Sequence, residues 1–146
     1  MAISSISLAD DAALAIGPER ALIGGFLCGL ATEEMPSLRS DEFALERHRV
    51  IWDVMGALRS EGIYPDIVTI TTRLRQQDRL ADVGDVVYLV GLLDEGMIAL
   101  HLDGYAQQVR ALATAREMRR LGMEMEQRGL TVAEVEAALA QVPRPM

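Results

Sequence analysis

Two histidines, His48 and His101, and one cysteine, Cys28, are the residues of this chain best suited to nucleophilic or metal chemistry. A catalytic triad needs a serine or cysteine beside a base that a third group orients, and neither histidine has such neighbours in sequence. Cys28 lies among apolar residues, which is typical of a small core residue. One cysteine and two distant histidines supply too few ligands for zinc. We therefore predict no catalytic, cofactor-binding or metal site, and a structural role for His48.

The basic residues exclude several classes of enzyme, because all 14 of them are arginine. The phosphate-binding loop of many ATPases needs a lysine, as do Schiff-base and kinase-type sites. We therefore expect this chain to have no ATPase activity. Its net charge of −8 also argues against tight binding of duplex DNA, where neutralising phosphates dominates the affinity.

The clustered charged residues can be explained without a catalytic role. Solvation and helix capping explain three pairs of carboxylates: Glu33/Glu34, Asp41/Glu42 and Asp94/Glu95. Arg116, Arg119 and Arg120 lie on one face of a predicted helix, where a solvated or salt-bridged face and a contact patch for a partner protein remain alternatives.

The elements that must position these residues are predicted to be helices. Residues 1–16 are expected to form a flexible arm, and Gly17-Pro18 to open the first helix. Gly24 and Gly25 inside it predict the close approach of another helix, because glycine is otherwise costly there. A second helix is predicted over residues 44–60, ending at Gly62.

Two β-branched or apolar runs are ambiguous. "IVTITT" (67–72), after a cap at Asp66, has strand composition, yet its large apolar residues recur at helical spacing. "VVYLVGLL" (86–93), with Asp85 as a candidate cap, poses the same problem. The residues favour helix in both runs but leave strand open.

The C-terminal third predicts a long helix over 103–128 and a second helix after Gly129, which together form an αα-hairpin. The first half of the long helix presents Tyr105, Val109 and Leu112 on one side. The apolar face of its second half lies on nearly the opposite side of the helix. "TVAE" (131–134) is a capping box that opens the next helix. We predict that the hairpin forms a dimer interface through Met118, Leu121, Met125, Val132, Val135, Leu139 and Val142. A monomer whose tail folds back on its own bundle is the alternative.

The expected protein is therefore all-α: a globular helical subdomain (17–102), then a long helix and a helical hairpin (103–146). No stretch is long and apolar enough to span a membrane, and the start lacks the basic region of a signal peptide. We expect a cytoplasmic protein.

Several short motifs, in order, carry a family resemblance. They are "PERALIGGFL", "DEFALERHRVIWDVMGALRSEG", "YPDIVTITTRLRQQDRLADVGDVVYLVGLL" and "YAQQVRALATAREM". Over about residues 18–129 the chain resembles the N-terminal domain of DnaB-like replicative DNA helicases. The matching positions are Glu19, Leu22, Ile23, Gly24, Gly25, Phe43, His48, Trp52, Pro65, Asp66, Leu74, Leu80, Gly84, Tyr88, Leu89, Tyr105, Ala106, Val109, Arg110 and Arg116. Asp85 departs from the pattern, which has a second glycine there.

The resemblance implies that both ambiguous runs are helices and that the hairpin dimerises. It further implies a collar domain in a helicase hexamer that recruits a DnaG-type primase, without the ATPase domain that unwinds DNA. The sequence leaves open whether the chain is an excised domain or a standalone relative. A free-standing phage- or plasmid-type regulator or loader of a host helicase is the alternative, and a small nucleic-acid binder is disfavoured by the charge.

Overall fold

The part of the chain that the structure describes is built from helices. The computed structural model describes residues 8–29, 34–97 and 101–145, with side chains from residue 12 onward. The helices are α1 (Leu8–Leu27), α2 (Glu46–Ser60), α3 (Ile67–Gln76), α4 (Asp85–Gly96), α5 (Leu102–Arg128) and α6 (Val132–Gln141), with 3-10 turns at Ser40–Glu42 and Ala81–Val83. These ranges contain no strand, which confirms the all-α class.

Helix α1 begins at Leu8, so the predicted start at Pro18 is wrong. Residues 8–16, expected in a flexible arm, belong to this helix, and residues 1–7 lie outside the described part of the chain. Pro18 removes one backbone hydrogen bond within the helix. The leucines and alanines before it are strong helix formers. These local preferences outweigh the proline.

Both ambiguous runs are helical, as the resemblance implied. The Asp66 carboxylate accepts a hydrogen bond of 2.8 Å from the Thr69 backbone N–H and caps α3 as predicted. The start of α4 differs from the prediction, because Gly84 is its N-cap and Asp85 is its first residue. Gly84 and Asp85 have φ values of 98° and 65°, so the chain enters the helix through two successive residues with positive φ.

Helix α1 packs against both α4 and α5. A Cβ atom on Gly24 would lie 2.0 Å from the Leu92 carbonyl oxygen, and one on Gly96 would lie 2.0 Å from that of Gly24. The two helix backbones are therefore nearly in contact, which confirms the predicted reason for a glycine at position 24. A Cβ on Gly25 would meet the Leu102 side chain at the start of α5.

Helix α5 has two different surroundings along its length. Ala106, Val109 and Ala113 in its first half are buried, the first two in the core that α1, α2 and α4 share. Leu121 is the buried residue of its second half. Gly129, with φ of 65°, ends α5, and the Thr131 hydroxyl caps α6 through the Glu134 backbone N–H. The hairpin therefore forms, while a domain boundary at residue 102 stays a prediction.

Candidate interaction surface

A buried polar cluster joins α1, α2 and α4. The Glu19 carboxylate lies 2.8 Å from His48 Nδ1, and His48 Nε2 lies 2.5 Å from the Tyr88 hydroxyl. A carboxylate accepts hydrogen bonds, so Nδ1 donates to Glu19, while Nε2 and the Tyr88 hydroxyl share the second hydrogen bond. Glu19 also accepts a 2.7 Å hydrogen bond from the Ala44 backbone N–H just before α2.

This acid–histidine–tyrosine order resembles a proton relay, but its position makes it a structural cluster. The side chains of Glu19 and His48 are completely inaccessible to solvent. Two guanidinium groups lie over the Tyr88 ring, with Arg20 at 4.9 Å and Arg47 at 4.5 Å from its centroid. A substrate would have no path to the imidazole. The placement of His48 agrees with the structural role predicted for it.

A second buried carboxylate anchors the long helix to the loop before α2. Glu42 accepts hydrogen bonds from Arg110 Nε at 2.7 Å and from the Arg39 backbone N–H at 2.7 Å. Arg110 also donates to the Ser37 carbonyl oxygen. The hydrogen bond that Arg110 donates to Glu42 raises the pKa of the Arg110 guanidinium. The expectation that Glu42 is a solvated or capping charge is therefore incomplete, since its side chain is 1% exposed and ion-paired.

Of the other carboxylates predicted to be solvated charges or caps, some are exposed and one forms an ion pair. Glu95 lies 2.6 Å from Arg20 Nε, so α1 and α4 share an ion pair at their interface. Asp41 and Asp94 are exposed, as solvated charges are expected to be. Glu34 is also exposed, and Glu33 lies outside the described residues.

The three arginines of α5 that were candidates for a partner contact, Arg116, Arg119 and Arg120, do not form one uniform patch. Arg116 Nη2 donates a 2.7 Å hydrogen bond to the Glu42 carbonyl oxygen and so ties α5 to the first 3-10 turn. Arg120 forms ion pairs with Glu117 at 2.7 Å and Glu124 at 2.8 Å along α5 itself. Arg119 is partly buried. A contact between this face and a partner protein stays a prediction.

The hairpin exposes a large share of its apolar side chains. Of the seven predicted interface residues, Leu121 is buried at 5% exposure, whereas Met118 is 47%, Met125 46% and Val132 75% exposed. No residue of α6 is fully buried. Met118 lines a cavity of about 340 Å³ together with Leu139 and Val142. The seam predicted within the hairpin therefore exists in part and leaves apolar surface facing outward.

The tail after α6 runs back along α5. The Thr114 hydroxyl donates a 2.6 Å hydrogen bond to the Pro143 carbonyl oxygen. Arg39 Nη2 lies 3.5 Å from the carbonyl oxygen of Gln141, the last residue of α6, and so links the end of this helix to the loop before α2. The described tail therefore lies against its own chain, while the choice between a dimer and a monomer whose residues 129–146 fold back on the bundle stays a prediction.

The remaining candidates for chemistry have local structural explanations. The Cys28 thiol donates to the Leu93 carbonyl oxygen at 3.1 Å, and burial raises its pKa. His101 is exposed and precedes α5 as its N-cap. No group of three histidine, cysteine or acidic side chains among the described residues could hold a metal ion. Among these residues, too, every helix is too short or too polar to cross a lipid bilayer.

The polar partners were harder to predict than the helices. Glu19, Tyr88 and Arg110 are positions of the family pattern, but their pairings join residues that are far apart in sequence. A signal for Glu19 exists: it falls on the apolar face of α1, near Leu22, Ile23 and Phe26. A charged residue on such a face is buried with a partner.

The fold defines a class: all-helical domains in which a compact bundle continues into an αα-hairpin. A family model, the DnaB-like helicase N terminal domain, matches residues 13–111. The chain belongs to this family, which confirms the resemblance of its motifs.

Individual relatives agree with the family model. The replicative DNA helicase DnaC of Bacillus subtilis is 28% identical over 132 residues, which are 88% of this chain and 29% of that protein. The replicative DNA helicase DnaB of Pasteurella multocida is 31% identical over 102 residues, 68% of this chain and 22% of that protein. This chain therefore spans less than a third of these relatives.

A solved structure supports the same assignment. The N-terminal domain of DnaB helicase from Mycobacterium tuberculosis superimposes with a TM-score of 0.74 at 25% identity. The match covers 86% of this chain and 93% of that one. The similarity therefore covers most of this chain.

Proposed function

We propose that this chain is a non-catalytic interaction and oligomerisation domain of a replicative DNA helicase and acts in DNA replication in the cytoplasm. Membership of the family supports the class of protein. The outward-facing apolar side chains of the hairpin are the observation that carries the oligomerisation. In this proposal the domain dimerises, contributes to the collar of a hexamer and recruits a primase. Unwinding and ATP hydrolysis belong to a separate ATPase domain.

The hairpin lacks the burial that would stabilise it alone. Leu121 is the buried residue of the second half of α5, α6 has no buried residue, and Val132 at the start of α6 is 75% exposed. Burying one such side chain is worth about 1.5–3 kcal/mol. A second hairpin related by two-fold symmetry would cover these side chains in a four-helix arrangement, a common closed solution. We therefore propose a homodimer through α5 and α6.

The dimer is best tested with exposed hairpin residues. Leu121 is unsuitable, because a charge at this buried position would disrupt the hairpin itself. Met125→Glu combined with Val132→Glu places charges on side chains that are 46% and 75% exposed, so the fold should persist. We expect the wild-type chain to sediment as a dimer and the double variant as a monomer with unchanged helicity by circular dichroism.

Val68→Glu is the matched control, since Val68 is 69% exposed on α3, outside the hairpin. This variant should remain dimeric. A wild-type chain that sediments as a monomer at high micromolar concentration would contradict the proposed interface. So would equal loss of dimer in the control.

Two observations support the proposal that the domain recruits a primase: its family membership and the three candidate contact arginines of α5. Of Arg116, Arg119 and Arg120, the last has a side chain that is 52% exposed. Arg120→Glu should weaken retention of the cognate primase in a pull-down at low salt, whereas Arg75→Glu on α3, also an exposed arginine, should not. Full retention by Arg120→Glu would remove this face from the proposal, and no retention by the wild-type chain would contradict primase binding.

A further inference from the structure

The outer face of α4 carries an apolar stripe that is separate from the hairpin. Val87 is 83%, Val90 43% and Met97 66% exposed, and Val87 is the most exposed large hydrophobic residue in the described chain. Their spacing of i, i+3 and i+10 places them on one side of the helix, about 15 Å from end to end. Leu89 and Leu92 on the opposite side are completely buried.

Carboxylates mark the same face. Asp94 follows Val90 by four residues and lies within the stripe, where it is exposed. Asp82 and Asp85, also exposed, lie at the N-terminal end of α4. The neighbouring flank of the helix is occupied by Arg20, which contacts Tyr88 and forms an ion pair with Glu95. The stripe is therefore apolar with negative charge in its middle and at one end.

We propose that this face of α4 binds a basic amphipathic helix of another protein. The occupant would present aliphatic side chains at i, i+3, i+4 and i+7 toward Val87, Val90 and Met97, a recurrent mode of helix recognition. Arginine or lysine beside them would meet Asp94 and Asp85. A second copy of this chain is a poor occupant of this particular face, because the exposed carboxylates of Asp82, Asp85 and Asp94 on one copy would meet those of the other.

The test uses the full chain and two synthetic amphipathic peptides of about 18 residues, which is five helical turns. Both carry leucines at the same positions, flanked by arginines in one peptide and by glutamates in the other. Fluorescence anisotropy should show saturable binding of the arginine peptide and none of the glutamate peptide. Val87→Ser with Val90→Ser should weaken binding at least about tenfold, since two apolar contacts are lost.

Two further variants locate the site. Asp94→Asn should weaken binding of the arginine peptide and reduce its dependence on salt, because one charge pair is removed. Val68→Ser, at an exposed valine of α3, should bind like the wild-type chain. Circular dichroism should show that every variant keeps its helicity.

Several results would overturn the proposal. Equal binding of the arginine peptide by all variants would mean general attraction to an acidic protein. Binding of both peptides alike, or of neither, would also contradict a basic partner. If the wild-type chain self-associates and Val87→Ser with Val90→Ser abolishes this, the face is an interface between copies of the chain.

Discussion

At the scale of single residues, Glu19 has two structural tasks. It orients His48, and its carboxylate accepts the Ala44 backbone N–H at 2.7 Å and the Leu45 N–H at 3.5 Å at the entrance to α2. The N-cap of α2 is Leu45, whose side chain cannot accept a hydrogen bond. Glu19 therefore supplies from α1 the cap that α2 lacks.

Glu19→Ala should consequently lower the free energy of unfolding by about 3 kcal/mol, because it leaves buried polar groups without a partner. Tyr88→Phe should cost only about 1 kcal/mol, since it removes one hydrogen bond from a partly buried side chain. Urea denaturation followed by circular dichroism measures both values. Losses of equal size would show that Glu19 does not hold the cluster together.

Asp85 illustrates a departure from the family pattern at the same scale. Its φ of 65° is a left-handed conformation, which glycine adopts without cost and aspartate tolerates better than alanine. The glycine of the family pattern suits this conformation directly. Asp85→Ala should lower the free energy of unfolding by about 1 kcal/mol, whereas Asp85→Gly should be neutral or stabilising. Thermal unfolding of the two variants checks this, and a stable Asp85→Ala would contradict the backbone argument.

At the scale of elements, the contact of α1 with α4 depends on a missing side chain. Gly24→Ala would place a Cβ 2.0 Å from the Leu92 carbonyl oxygen, so the helices must separate. Overpacking of this kind costs about 1–3 kcal/mol. Gly56→Ala is the matched control, because a Cβ at this position in α2 would meet no atom within 4 Å. The control should raise stability by about 0.5–1 kcal/mol, so chemical denaturation should give opposite signs for the two variants.

The cap of α6 predicts a pH dependence for the hairpin. The pKa of Glu134 is lowered because its carboxylate accepts the backbone N–H and then the hydroxyl of Thr131. The unfolded chain keeps a value near about 4.3. This contribution to stability is therefore present above that value and is lost as the pH falls through the lowered pKa.

Amide chemical shifts of α6, recorded from about pH 6 down to about pH 3, should show progressive loss of helix at the acidic end. In Glu134→Gln the side chain no longer titrates, and this part of the pH profile should be flat. An identical profile in the variant would assign the effect to other carboxylates.

The helices themselves could be predicted largely from local sequence. The caps at Asp66 and Thr131 and the stops at Gly62 and Gly129 are short-range signals, and each lies where it was expected. Helix or strand in the β-branched run of α3 could not be decided in this way, because tertiary packing of Ile70 and Leu74 determines it. The predicted start of α1 at Pro18 is wrong because strong helix formers precede the proline and the helix continues through it.

The polar clusters could not be predicted from local sequence. Glu42 and Arg110 are 68 residues apart, and Glu19 and His48 are 29 apart. Such pairs depend on the tertiary arrangement of the helices, which cannot be derived from the local pattern of a single sequence. The family pattern marks Arg110, Glu19 and His48 as important without saying which residue each contacts.

At the scale of the whole molecule, α5 connects a tightly packed bundle to a poorly covered hairpin. Arg110 and Arg116 fasten its first half to the loop around Glu42. After Arg116 the contacts with the core end, and Leu121 is the buried residue in the remaining part of α5. Because local opening follows the density of buried contacts, the hairpin should open more readily than α2.

Hydrogen–deuterium exchange tests this difference and the dimer together. In the wild-type chain, amides of residues 118–141 should exchange faster at low concentration and become protected as the concentration rises, since dimerisation stabilises the bound form by mass action. Amides of α2, within the bundle, should exchange at the same slow rate throughout. In the double variant Met125→Glu with Val132→Glu, the hairpin amides should exchange at every concentration at the fast rate that the wild-type chain shows when it is dilute. Concentration-independent exchange of the wild-type hairpin would mean that the tail contacts of Thr114 and Arg39, not a second copy, stabilise it.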